Sequence, residues 1–321
     1  MWVIDYRFPV TRRKVTFCLL ASAMVPIRAP AAPYQAAVSP IVGLLAEADE
    51  RLDYSRAAFA VNKIVDPTAN LQTTELTIAR LVDAARQMAG PNPTDAYKLA
   101  AVRKTIYDSG PWNYNSAFAY DRADPLGQIL KNRLLSTYVQ TRKGNCVSMP
   151  FLFLIVADRM GLNVHLGTAP LHFFVRYTDP QGVDHNLEAT SGGHEARTDW
   201  YRKNLPMTDR ALESGIYMRT LSKRESIAEM ANVVLDFLLE QRRYQEAVEV
   251  ADAILAVNPR EPYTMVKKAS AIGGILQGDF IEKYPIPALI PPALRVRYQA
   301  LAQENERLFK AAEALGWEPT E

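Results

Sequence analysis

The segment "RKGNCVSMPFLFLIVADRMGL", residues 142 to 162, decides how the chain is interpreted. A cysteine, Cys146, follows a Gly-Asn pair and begins a long apolar run with helical character, which Gly161 ends as a left-handed cap. Pro150 has no N–H to donate, so the helix is expected to begin nearer Ser148 or to have a distorted first turn. In both cases Cys146 stands at the helix start, where unpaired backbone N–H groups collect.

After this helix the apolar period changes to two, which predicts three short strands. Their sequences are "NVHLGTA", "LHFFVRYT" and "VDHNLEAT", and the turn sequence "DPQG", residues 179 to 182, joins the second strand to the third. Pairing around this turn makes the numbers of facing residues sum to about 360 to 362. The hairpin therefore predicts that His172 lies opposite Glu188 within a residue or two.

Most of the remaining chain has the three- and four-residue apolar spacing of helices. The predicted helical segments are 33–88, 95–108, 126–140, 230–259, 262–279 and about 295–315.

Residues 230 to 259 resemble a tetratricopeptide repeat. Tyr244, Ala247 and Ala251 match the aromatic and small residues of its second helix, and Pro259 ends the unit. A solenoid normally needs three repeats, so these helices are expected to pack on the preceding domain.

The first 31 residues differ from the rest. A basic cluster at 12–14 precedes an apolar run at 15–27 that is too short to span a bilayer, and small residues at 29–31 follow. This order predicts a signal peptide and an exported protein, periplasmic or extracellular. The alternative is an uncleaved N-terminal anchor, in which case the chain would contact a membrane.

Composition excludes several classes of protein. The chain has 321 residues, 48% apolar residues and a formal net charge of +2, with no polybasic tract that would indicate nucleic acid binding. The four histidines, His165, His172, His185 and His194, lack paired ligand spacing, so neither a metal nor another cofactor is predicted.

A thiol is a nucleophile only as the thiolate, which is a minor species at neutral pH. A helix N-terminus and a nearby histidinium both favour the thiolate, and the histidine in turn needs an acceptor for its other nitrogen. Cys146, His172 and Glu188 could supply these three parts. Taken singly, each is more often a structural residue, so the prediction depends on their arrangement.

The segments around Cys146, "APLHFFVRY" at 169–177 and "NLEATSGG" at 186–193 resemble the transglutaminase-like superfamily, in particular its bacterial branch with tetratricopeptide repeats after the core. The resemblance covers roughly residues 126 to 195 and implies a papain-like Cys-His-Asp constellation. In it Cys146 matches the nucleophile and His172 the general base. Glu188 matches the third member, where most relatives have aspartate, and Asn186 is the fallback.

The resemblance implies an α+β fold. Its papain/transglutaminase-like core packs the helix bearing the cysteine on a small antiparallel sheet, and helical N-terminal and tetratricopeptide-like C-terminal regions flank the core. The predicted organisation is a signal peptide at 1–31, an N-terminal helical region at 32–115, a catalytic core at 116–222 and a tetratricopeptide-like region at 223–321.

The implied chemistry is acyl transfer through a thioester of Cys146, with Tyr138 and Asn145 as candidate contributors to an oxyanion site or cleft. Water as acceptor makes the protein a cysteine peptidase or amidase, which is the expected activity; an amine makes it a transamidating transglutaminase. The expected substrate is a peptide or protein, and the repeat-like helices could hold a protein partner. A third alternative is an inactive relative that binds a peptide or protein.

Overall fold

The computed structural model describes residues 38–319, so the predicted signal peptide lies outside the described residues. Four helices come first, and the side chains of Asp53 and Asn70 cap the second and third by accepting hydrogen bonds from backbone N–H groups. These helices are α1 (Ser39–Leu45), α2 (Tyr54–Val65), α3 (Leu71–Ala89) and α4 (Asp95–Tyr107).

The region between α4 and the central helix is mostly irregular. A two-residue strand, β1 (Ala119–Tyr120), pairs in parallel with β2 (Lys143–Gly144), and α5 spans Leu135–Thr141. The prediction of one helix over 126–140 is wrong for its first half. Asp124 accepts hydrogen bonds from the backbone N–H groups of residues 128 and 129, and this local bonding replaces helical bonding there.

Helix α6 (Ser148–Arg159) lies at the centre of the molecule. It begins at Ser148, as the position of Pro150 indicated, and its residues from Ser148 to Ala157 are all buried. Since the helix is apolar on every side, it must be covered on every side. Helices α2 to α5 pack around it, and the sheet covers the remaining face.

The sheet has four antiparallel strands in sequence order, and the three predicted strands are confirmed. The strands are β3 (Val164–Ala169), β4 (His172–Thr178), β5 (Asp184–Glu188) and β6 (His194–Glu195).

The chain then returns to helices, each of which packs on the next from α9 onward. Ser222 and Glu225 form a capping box that starts α9. The helices are α7 (Thr198–Asn204), α8 (Asp209–Ser214), α9 (Lys223–Glu240), α10 (Tyr244–Val257), α11 (Pro262–Leu276) and α12 (Pro292–Ala314). The Tyr244 ring lies against Gly274 of α11, where a β-carbon would clash with it. The assignment of these helices as a tetratricopeptide repeat stays a prediction.

One hydrophobic core joins these parts. A single cluster of buried residues runs from Val38 to Ala271 and includes members of all three predicted regions after the signal peptide. The N-terminal helices, the sheet with α6 and the C-terminal helices therefore pack as one body, while the predicted domain borders stay predictions. Among residues 38–319, no helix is both long enough and apolar enough to cross a membrane.

Candidate active site

Cys146 is held at the start of α6 by its neighbour Asn145. The Asn145 side-chain oxygen accepts hydrogen bonds from the backbone N–H groups of Val147 and Ser148, and its amide nitrogen donates to the Asn132 carbonyl. Asn145 thus fixes the beginning of the helix, and its side chain is engaged there. Its predicted part in an oxyanion site has no support from this placement.

The Cys146 thiol faces the turn between β3 and β4. Its Sγ atom lies 3.6 Å from the backbone carbonyl oxygen of Leu171, and the residue is only 2% exposed. Leu171 has a positive φ of 53°, which brings its carbonyl over the thiol in a two-residue turn between paired Ala169 and His172. His172, the first residue of β4, directly follows Leu171, so the turn brings the imidazole close to the Cys146 thiol.

His172 and Glu188 are brought together by the hairpin. The facing pair Val175 and Leu187 sets the register, so Glu188 lies diagonally across from His172 on the same face of the sheet. The imidazole Nε2 atom is 2.8 Å from the Glu188 Oε2 atom, and both side chains are largely buried. The predicted meeting of imidazole and carboxylate is confirmed.

Three further donors fix the Glu188 carboxylate. The Tyr201 hydroxyl donates to Oε2 at 2.9 Å, and Thr190 donates to Oε1 from its backbone N–H at 3.0 Å and from its hydroxyl at 2.5 Å. Tyr201 comes from α7, outside the hairpin, and packs on Phe174. Sequence reasoning missed it, since a tyrosine in a short helix gives no local signal of such a contact.

The electrostatics of the pair favour the imidazolium. Burial alone would lower the pKa of His172, but hydrogen bonds to Cys146 and Glu188 outweigh burial and raise this pKa to about 10. Burial would likewise raise the pKa of Glu188, yet the hydrogen bond and charge of His172 hold it below its ordinary value. His172 is therefore a cation and Glu188 an anion at neutral pH.

This raised pKa predicts how stability depends on pH. The pKa of His172 in the folded state lies above its unfolded value of about 6.5. The stability that protonated His172 gives to the folded state is therefore fully present below about pH 6.5 and is lost as pH rises through about 10. The unfolding free energy of the wild type, relative to His172→Asn, should fall over this range by at most about 1.4 kcal/mol per pH unit. Urea unfolding at several pH values measures this difference; a difference independent of pH would show that folding does not raise the pKa of His172.

Two other predicted candidates lie elsewhere. Tyr138 is fully buried and packs edge-on against the Phe118 ring, so it belongs to the core, and this position does not support a part in an oxyanion site. Asn186, the fallback acid partner, lies on the same face as Glu188 but accepts from the Arg176 guanidinium and donates to the Ala196 carbonyl, so its side chain is engaged away from His172.

A cavity of about 280 Å³ opens beside the turn and reaches the C-terminal helices. Leu171, His172 and Val147 line it, and so do residues of α9 and α11. Gln128, which is exposed and precedes α5, lines it as well, and among residues 38–319 no group bonds to its side-chain amide. Sequence reasoning missed Gln128 because the apolar spacing of residues 126–140 predicts a helix there. In the described part of the chain no cluster of three His, Cys, Asp or Glu side chains could hold a metal ion.

The fold and this site together have the arrangement of a transglutaminase-like core, with a helix-borne cysteine facing a histidine–acid pair on an antiparallel sheet. A sequence model of the transglutaminase-like superfamily matches residues 72–232, which is half of the chain, and the chain belongs to this superfamily. The match begins in α3 and ends in α9, so it includes the whole sheet and all three candidate residues.

Three curated relatives are UPF0162 proteins of Buchnera aphidicola. The protein of subspecies Schizaphis graminum is 24% identical over 52% of this chain and 59% of its own length. Those of subspecies Acyrthosiphon pisum and Baizongia pistaciae are each 22% identical over 57% of this chain and 65% of their own length. The matches thus span about three fifths of the curated relatives.

Proposed function

We propose that the protein is a thiol-dependent acyl-transfer enzyme, a cysteine peptidase or amidase that acts through a thioester of Cys146. The observation that carries the proposal is the His172–Glu188 pair, 2.8 Å apart, beside a cysteine at a helix start. The proposed site of action is outside the cytoplasm, which rests on the sequence of residues 1–31 alone.

The proposed reaction follows from the positions of these groups. In the reactive form the proton of the Cys146 thiol resides on His172 as the imidazolium, and the thiolate sulfur attacks the carbonyl carbon of an amide. The imidazolium donates this proton to the departing amine, which leaves an acyl group on sulfur. Water, deprotonated by His172, attacks the thioester and releases the acid and the free thiol. Glu188 stabilises the imidazolium in both half-reactions and fixes its orientation.

Two donors suit the developing oxyanion. The Cys146 backbone N–H makes a long bond of 3.4 Å to the Pro125 carbonyl, which a better acceptor can replace. The Gln128 amide lines the same cavity as His172 and is free to donate. Together they would supply the paired donors that a tetrahedral intermediate needs.

Gln128→Ala is accordingly expected to lower the acylation rate constant of Cys146 by about 10²-fold, with little change in substrate affinity, because an oxyanion donor acts mainly in the transition state. Stopped-flow release of p-nitrophenol from p-nitrophenyl acetate measures the rate constant and the half-saturating concentration separately. Gln181→Ala, in the exposed β4–β5 turn, is the matched control. A loss confined to affinity would assign Gln128 to substrate binding instead.

The proposed function is tested by trapping the intermediate. Full-length protein carrying Cys18→Ser is mixed with p-nitrophenyl acetate, and the acetylated residue is located by mass spectrometry of peptides. Acetyl thioester on Cys146, absent from Cys146→Ala and from His172→Ala, is the expected result. A protein that acquires no acyl group on Cys146, or acquires it equally without His172, is not a thiol enzyme of this kind.

The same experiment shows whether water or an amine accepts the acyl group. If adding methylamine speeds loss of the acetyl group and yields N-methylacetamide, the enzyme transfers acyl groups to amines; if only acetate forms, it is a hydrolase.

One observation favours a second candidate, an inactive binding protein, namely the 2% exposure of Cys146 under the Leu171 carbonyl. An unreactive thiol in the acylation assay would establish that alternative.

A further inference from the structure

The cavity that His172 lines is also lined by two buried glutamates. Glu229 lies on α9 and Glu261 precedes α11; both line the cavity and are 4% and 7% exposed. Burial raises the pKa of both carboxyl groups, and for Glu229 the neighbouring Glu261 charge adds to this effect. Carboxylates are rarely buried without a hydrogen-bond or ion-pair partner, so the partners of each glutamate matter.

The hydrogen bonds of the two glutamates differ. Glu261 accepts from the backbone N–H groups of Tyr263 and Thr264 and thereby caps α11. Glu229 accepts one bond, 3.1 Å from the Asn232 amide to Oε2, and among residues 38–319 no donor reaches its Oε1 atom. One carboxylate oxygen thus remains available to a ligand in the cavity.

The cations near this cavity are already paired. Arg133 and Lys267, which line it, lie 2.6 Å and 2.8 Å from the two oxygens of Asp236. The charge of Arg219 also acts on Glu229, but Arg219 forms an ion pair with Glu225 at 2.6 Å. Within the described residues neither Glu229 nor Glu261 has a cation in ion-pair contact, so a cation entering the cavity would find these two carboxyl groups without a competing counter-charge.

Aromatic rings complete this part of the cavity. Tyr217 and Trp317 line it, and the charges of Glu229 and Glu261 act on the Tyr217 hydroxyl, which bonds to no group in the described part of the chain. An aromatic face beside a carboxylate binds a cation carried on an apolar stem, because the ring contacts the stem and attracts the charge.

We propose that this cavity binds a cationic side chain, alkylammonium or guanidinium, of the polypeptide whose carbonyl group reaches Cys146. The unpaired Glu229 oxygen would accept from the cation, and the Tyr217 ring would pack on its stem. His172 and Leu171 line the same cavity, and the Leu171 carbonyl contacts the Cys146 thiol, so a polypeptide held in this way would extend toward the thiol. The link from this cavity to Cys146 rests on the proposed acyl-transfer function, whereas binding of the cation requires no catalysis.

The test measures binding to full-length Cys146→Ala protein, so that no reaction can occur. The probes are the tripeptide acetyl-Ala-Lys-Ala-amide and its analogues with norleucine or glutamate in place of lysine, titrated by calorimetry. The lysine peptide is expected to bind about tenfold more tightly than the norleucine peptide, and the glutamate peptide least tightly. Equal binding of lysine and norleucine peptides, or no binding of the lysine peptide, would overturn the proposal.

The charge on the wall is tested by Glu229→Gln, which keeps the Asn232 contact and removes only the charge. The preference for lysine over norleucine should fall to about twofold or less in this variant, since its electrostatic part is lost. Glu240→Gln, an exposed residue of the same helix that also lines the cavity, is the matched control and should keep the preference. A preference that survives Glu229→Gln would overturn the assignment. Lysine preference in a protein that never acylates Cys146 would contradict the proposed function and leave this site standing.

Discussion

Replacing His172 by alanine is expected to lower the rate of Cys146 acylation by about 10² to 10⁴-fold, the range associated with a general acid–base. The physical reason is that His172 holds the proton lost by the thiol and returns it to the leaving group, while Glu188 at 2.8 Å stabilises the resulting imidazolium. Release of p-nitrophenol from p-nitrophenyl acetate gives the rate, and the unfolding transition shows whether the variant remains folded.

His185→Ala provides a matched control for this variant. His185 lies on the same hairpin, and its two ring nitrogens each lie 3.1 Å from a carboxylate, those of Asp179 and Glu195, which raise its pKa. It does not line the cavity, so its loss should leave the rate within about twofold of wild type. Equal loss in the two variants would indicate a general effect of disturbing the hairpin.

Glu188→Gln removes the charge of the Glu188 side chain but nearly keeps its size and shape. The amide oxygen can still accept from Thr190 and the amide NH2 can donate to the Tyr201 hydroxyl, but the substitution lowers the pKa of His172 by removing the charge that faces it. The acylation rate should therefore fall, but less than in His172→Ala, because the imidazole can still hold the thiol proton although the imidazolium is less stable without the facing charge. A rate unaffected by this substitution would remove Glu188 from the mechanism.

The contact between His172 and Glu188 could be predicted from the sequence because the turn at residues 179 to 182 sets the pairing register of β4 and β5. Asp179 accepts bonds from the backbone N–H groups of Gln181 and Val183, and this closed turn fixes the pairing of the two strands. Once the register is fixed, strand alternation places His172 and Glu188 on one face. The interaction is therefore encoded within a short stretch of the chain.

The rest of the site depends on contacts between distant segments. Tyr201 reaches Glu188 only because α7 folds back over the sheet, and no local pattern encodes that path. Gln128 faces the cavity because the Asp124 side chain holds residues 128 and 129 out of a helix, although their apolar spacing favours one. The cavity itself is formed where α9 and α11 meet the β3–β4 turn, so it exists only in the tertiary structure.

Removing the Asp236 carboxylate is expected to lower the free energy of unfolding by about 3 to 5 kcal/mol, the largest stability effect that we predict. Asp236 lies on α9 and pairs with Arg133 at 2.6 Å and Lys267 at 2.8 Å, and it accepts from the Tyr263 hydroxyl. Since Arg133 precedes α5 and Lys267 lies on α11, one carboxylate joins three segments around the cavity. Asp236→Ala leaves two partly buried cations without a counter-charge.

Urea unfolding of Asp236→Ala, Asp236→Asn and Asp252→Ala measures this effect. Asp252 also pairs with a lysine, Lys268 at 2.7 Å, but its side chain is 57% exposed, so its loss should cost less than about 1 kcal/mol. Asp236→Asn keeps an acceptor for Tyr263, so its loss of stability should fall between those of Asp236→Ala and Asp252→Ala.

The contribution of the Asp236–Arg133 ion pair is measured by combining Asp236→Ala with Arg133→Met, because the second substitution removes the cation that the first leaves unpaired. We expect the double variant to be more stable than the sum of the single losses predicts, and strictly additive losses would mean that the two charges do not interact.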